Sequence, residues 1–152
     1  MKMLKPLVAL LTSATLFAAS AAYAGPAVTV TFKHLGAAGS TTATYSTTNS
    51  NETSTYTNAS PKPKTEVEAG KSDSYKVQSN ISPDANYAIV RYSIGSKTCV
   101  FNTNYVNTLN ASGVKVPKWN KSATASGGAI CNATITSTNI STRAWEAEFT
   151  MK

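Results

Sequence analysis

Residues 87–101 read YAIVRYSIGSKTCVF, and their pattern decides the fold. Ala88, Val90, Tyr92 and Ile94 recur at every second position, the period of a strand with one face buried. Gly95-Ser96 is a two-residue turn signal, and Lys97 to Phe101 resumes the strand pattern around Cys99. An antiparallel hairpin with a central strand is expected here.

The same period recurs on both sides. Val28, Val30 and Phe32 alternate with Thr29, Thr31 and Lys33; Trp145, Ala147, Phe149 and Met151 alternate with Glu146, Glu148 and Thr150. Ser74 to Asn80 places Tyr75 and Val77 on one face, and Ala129 to Thr136 carries Cys131, Ala133 and Ile135 on another. Thr41 to Thr48 and Thr53 to Thr57 are Thr-rich runs around Tyr45 and Tyr56, split by Asn49-Ser50-Asn51, and are expected to form a surface hairpin. Pro61-Lys62-Pro63-Lys64 is a stiff connector. Asn102 to Lys118 is Asn-rich and ends in Val116-Pro117, so it reads as a long loop. Trp119 to Gly128 continues it as a small, polar stretch. About eight short strands with regular turn signals predict an all-β fold, a single antiparallel β-sandwich of immunoglobulin-like or jelly-roll-like kind, without substantial helix.

Residues 1–24 have a different character. Lys2 and Lys5 precede an apolar run from Leu7 to Ala19, and Ala22-Tyr23-Ala24 supplies small residues before Gly25. This is the layout of a secretory signal peptide with an A-x-A cleavage site. The apolar run is shorter than the ~20 residues needed to span a bilayer. Residues 25–152 are therefore expected to be one exported domain, periplasmic or secreted. Without Lys2 and Lys5 the basic count falls from 14 to 12 against seven acids, so net charge falls from +7 to +5. The lysines are scattered and only Arg91 and Arg143 are arginines, which argues against nucleic-acid binding. In an oxidising compartment Cys99 and Cys131 are expected to form one disulfide.

Candidate chemistry is sparse. His34 is expected to be an exposed strand-end histidine, and no serine lies in a G-x-S-x-G elbow. Glu66 with Glu68, and Glu146 with Glu148, read as solvated strand faces rather than an acid–base pair. One histidine and two bridged cysteines do not make a zinc site, and no calcium-loop spacing occurs, so no metal and no cofactor are expected. Seven N-x-[ST] triplets follow from an Asn-, Ser- and Thr-rich composition. Trp145 reads as core. Trp119 stands between Lys118 and Lys121 in a polar stretch and reads as an exposed anchor for a partner, with Tyr105 extending the patch.

The segments YSIGSKTCVF (92–101) and PKWNKSATASGGAICNATI (117–135) resemble small secreted bacterial β-sandwich proteins of unassigned function. In size and strand order the chain also resembles the aegerolysins, membrane-lipid-binding sandwiches that recruit pore-forming partners, and this likeness implies no residue role. The expected function is a non-enzymatic exported binding protein with a protein or cell-surface partner. An aegerolysin-like lipid binder and an inhibitor of a secreted hydrolase are the alternatives.

Overall fold

The computed structural model describes residues 24–152; apart from Ala24, the predicted signal peptide lies outside the described residues. Ten strands and one helix follow in order: β1 (Val28–His34), β2 (Ala43–Ser46), α1 (Ser50–Thr57), β3 (Ala59–Ser60), β4 (Glu66–Val67), β5 (Ser72–Val77), β6 (Ala85–Ile94), β7 (Lys97–Leu109), β8 (Lys115–Ser126), β9 (Cys131–Thr138) and β10 (Trp145–Met151). They form two five-stranded sheets, ordered β3-β5-β1-β10-β9 and β4-β2-β6-β7-β8. The pairing is antiparallel except that β1 runs parallel to β10, with Val28 opposite Trp145. The chain is an all-β sandwich.

The alternating positions read from the sequence line its interior. Val28, Val30 and Phe32 of β1, Ala88, Val90 and Tyr92 of β6, and Trp145, Ala147, Phe149 and Met151 of β10 are all buried. The Phe32 and Tyr92 rings stack across the two sheets with centroids 3.6 Å apart, and Phe101 and Phe149 stack at 4.8 Å. Aromatic pairs of this kind add about 0.5–1.5 kcal/mol to their area burial. Some polar atoms that enter the core are partnered, since the Trp145 indole donates to Thr103 Oγ1 at 2.8 Å and the Tyr75 and Tyr92 hydroxyls meet at 3.2 Å, whereas the buried hydroxyls of Tyr45 and Tyr105 have no partner among the described residues. Gly95, at φ 58°, occupies the left-handed region that the two-residue β6–β7 turn requires. Cys99 on β7 and Cys131 on β9 are disulfide-bonded, which ties one sheet to the other.

Three expectations need correction. First, residues 102–118 are not a loop. β7 runs to Leu109, β8 starts at Lys115, and they pair throughout, from Thr98 opposite Ser126 to Leu109 opposite Lys115. Asn102 and Asn104 disfavour strands by propensity, yet they fall on the outer face while Thr103 and Tyr105 are buried. Second, the expected hairpin over residues 41–57 is one strand followed by a helix. Asn49 caps α1 by accepting the Glu52 N–H, and buried Glu52 accepts from Thr48 N, Thr48 Oγ1 and Asn49 Nδ2. Arg91 of β6 pairs with the same carboxylate at 2.8 Å. Helix α1 takes the place beside β6 that β2 leaves free, and Thr55 Oγ1 accepts the Ile89 N–H that would otherwise point at an absent strand. Third, His34 is buried, not exposed: its Nε2 donates to Thr41 O at 2.9 Å, and its Nδ1 accepts from Gly36 N at 3.0 Å.

Candidate loop-end binding surface

One end of the sandwich gathers the β5–β6 loop (78–84), the β7–β8 turn (110–114), the β9–β10 loop (139–144) and the residues before β1. Register fixes this arrangement. Val28 lies opposite both Val77, the last residue of β5, and Trp145, the first of β10. Gly25 N donates to Ser79 O at 2.7 Å and Asn86 Nδ2 donates to Pro26 O at 2.7 Å, so β5 and β6 turn at this same end. β6 starts at Ala85, opposite Val106, whereas β7 and β8 continue as a two-stranded ribbon through Leu109 and Lys115. Three further residues extend that ribbon about 10 Å beyond β6.

Exposed aliphatic side chains concentrate here. Ile81, Leu109, Val114, Val116 and Ile140 are between 42 and 84 % exposed, and they sit on the β5–β6 loop, the tip of the β7–β8 ribbon and the β9–β10 loop. The charged residues of these segments are Lys115, Lys118, Arg143 and Asp84. Asp84 accepts from Asn107 Nδ2 at 2.9 Å and is ion-paired with Lys115, and these hydrogen bonds hold its carboxyl below the ordinary value. The Asp84 carbonyl also accepts from Asn107 N, so the β5–β6 loop is fastened to the base of the ribbon. On the other side, the Trp119 indole donates to Arg143 O at 3.2 Å, fastening the β9–β10 loop. Arg143 holds φ 64°, a left-handed conformation that a non-glycine residue adopts at a cost of about 1–2 kcal/mol. The bond from Trp119 helps to hold it there.

The chain matches no protein-family model, no curated protein and no solved structure. The candidate surface therefore rests on its own geometry.

The four residues expected to form the site are brought together, but in other roles. Tyr105 is fully buried and faces Trp119 across the β7–β8 pair, with ring centroids 5.4 Å apart. It offers no surface to a partner. Burial raises its phenol above the ordinary value, Asp84 pushes the same way, and Arg143 and Lys115 oppose it. Trp119 is half-buried against the core rather than a free loop anchor, because β8 turns its ring inward over Tyr105. Lys121 reaches across the open edge of the sandwich, where Nζ donates to Ala133 O of β9 at 2.6 Å. Lys118 is exposed on the outer face of β8. The aliphatic residues at the ribbon tip carry no periodic signal in the sequence, although Leu109, Val114 and Val116 all lie within three residues of the Asn110 to Gly113 turn.

Other surfaces are less suited to recognition. A depression of about 460 Å³ is open, lies at the opposite end, and is lined by Lys64, Glu66, Glu68 and Lys71 with charges of both signs. An apolar dent beside Ile81 measures about 100 Å³, below the 300 Å³ or more of a typical small-molecule site. Among the described residues no group of three histidine, cysteine or acidic side chains is placed to hold a metal ion.

Proposed function

We propose that the protein is an exported, non-enzymatic binding protein that engages a macromolecular partner, a protein or a cell-surface component, through the loop end of its sandwich. One observation carries this reading: five exposed aliphatic residues on the ribbon tip and the two loops hydrogen-bonded to it, beside Lys118 and Arg143 and with the local carboxylate already neutralised by Lys115. Apolar side chains raised on a rigid scaffold and flanked by uncompensated positive charge fit a partner that offers apolar area and acidic groups. The disulfide is compatible with export. The non-enzymatic reading is supported by His34, whose two ring nitrogens are both engaged by backbone in the interior.

The same surface supports a second reading, binding to an anionic lipid bilayer, because the aliphatic residues project from separate tips instead of lining a groove. A pull-down from secreted and cell-surface extracts, run with the native chain and with a Leu109→Ser/Val116→Ser variant, tests the first reading. Partner capture that is lost in the variant supports it, and capture unaffected by the variant refutes it. Co-sedimentation with anionic vesicles, lost in the same variant, would establish the lipid reading instead. Selective capture of a secreted hydrolase whose activity falls would mark the protein as its inhibitor.

A further inference from the structure

The residue that follows the predicted cleavage site is held unusually closely. Gly25 is buried while Ala24 is exposed. Its nitrogen donates to Ser79 O at 2.7 Å. A side-chain carbon at position 25 would lie 2.7 Å from Ala85 O, 2.8 Å from Ser82 O and 3.3 Å from Ser79 O, so three backbone carbonyl oxygens line the α-carbon of this glycine and a larger residue would force the backbone to shift. The following residues are clamped as well. Gln78 Nε2 donates to Gly25 O at 2.9 Å, Asn86 Nδ2 donates to Pro26 O, and Trp145 N donates to Ala27 O at 3.1 Å. Two acceptors remain unused beside this segment. No described N–H or O–H donates to Ser82 O, and buried Asn86 Oδ1 has no partner.

A peptide nitrogen at Gly25 has a single hydrogen to offer to this set of acceptors. A free terminal ammonium has three, together with a positive charge. We propose that signal-peptide removal supplies the missing donors: the α-ammonium group of Gly25 keeps its bond to Ser79 O and turns its added hydrogens toward the Ser82 and Ala85 carbonyls beside its α-carbon, a cradle that locks the start of β1 to the β5–β6 loop. In the step that creates it, the Ala24–Gly25 C–N bond is hydrolysed by an endopeptidase of the export machinery. Water gives its hydroxyl to the Ala24 carbonyl carbon, which leaves as a carboxylate, and the Gly25 nitrogen ends as an ammonium. Because Gly25 is buried once the β5–β6 loop has closed over it, cleavage precedes closure. The processed chain is then the one that reaches full stability, and the locked loop is the one that carries Ile81 on the proposed binding surface. The elements packed around this segment carry Asp84, already engaged by Asn107 and Lys115, Tyr87 on β6, Tyr75 and Lys76 on β5, and Arg143 and Glu146 on either side of Trp145.

This inference rests on the export reading, and the experiment separates the two. Three oxidised chains are compared by thermal unfolding: one starting at Gly25, one starting at Ala24, and one starting at Gly25 with its nitrogen acetylated. At pH 6 the first should melt about 3–8 °C above the other two, the effect expected for a few charge-assisted hydrogen bonds in a domain of this size. Its advantage over the acetylated chain should be complete below about pH 7.7, where a free α-amino group is protonated, and should disappear on raising the pH to about 11. Equal melting temperatures at pH 6, or an advantage that persists at pH 11, would overturn the cradle. N-terminal sequencing of exported protein tests export on its own: a first residue other than Gly25 removes the physiological role without altering the comparison of purified chains.

Discussion

Glu52 shows how one residue joins two elements that no local pattern connects. Burial disfavours its charged form, but hydrogen bonds from Arg91 and from Thr48, with the attraction of Arg91, outweigh burial and hold the carboxyl below its ordinary value. The stabilisation it brings is therefore present above the ordinary carboxylate range, near pH 4.3, and is lost as the pH falls through the lower folded value. Glu52→Gln should cost about 2–4 kcal/mol at pH 7, since it leaves Arg91 half-buried without its counter-charge. Urea unfolding across pH should show the gap between native and variant chains narrowing below about pH 4. Trp119 makes a second prediction at this scale. Its ring packs on Tyr105 and its indole N–H anchors Arg143, so Trp119→Ala should destabilise the domain by about 2–3 kcal/mol. An unchanged denaturation midpoint would return Trp119 to the role of a free surface anchor.

Helix α1 begins at a local signal that the composition around it obscures. Asn49 and Glu52 stand at cap and third helical position, a spacing that signals a helix start. The Thr-rich composition around them has strand propensity, which points the other way. What makes the helix necessary is tertiary: on β6, strand β2 covers Arg91 to Ser93 alone, so the first half of β6 would otherwise present an unpaired edge. Thr55 fills that role by accepting the Ile89 N–H. Thr55→Val keeps the shape and removes the acceptor; it should cost about 1–2 kcal/mol and speed hydrogen exchange at the Ile89 amide. The β7–β8 pair is hidden in the sequence for the opposite reason. Its outer face carries Asn102, Asn104 and Asn120, residues that favour turns when local propensity alone decides. They are held in strands by the burial of Thr103 and Tyr105 beneath them and by a cross-strand bond from Asn120 Nδ2 to Asn104 Oδ1 at 3.0 Å.

At the scale of the whole molecule, two sheets are held together by an aromatic core and by one covalent tie. The disulfide joins β7 to β9 across the sandwich with a sequence separation of 32 residues. On the chain-entropy model a loop of that size is worth roughly 3–4 kcal/mol. Cys99→Ser/Cys131→Ser should lower stability by about that amount in chemical denaturation while retaining a β-rich far-ultraviolet spectrum, because the stacked rings of Phe32 with Tyr92 and Phe101 with Phe149 remain. The sequence by itself determined that the chain is an all-β sandwich, which alternating positions form the core of β1, β6 and β10, and which two cysteines pair. Those features follow from a period of two and from the presence of only two thiols, both written locally. Tertiary structure alone decided that residues 102–118 form a ribbon, that His34 and Tyr105 are interior, and that Ile81, Leu109, Val114, Val116 and Ile140 share one end. Residues nearly sixty positions apart become neighbours only when strand register brings three loops to the same edge of two sheets, and register is set by pairing across the fold rather than by any segment within it.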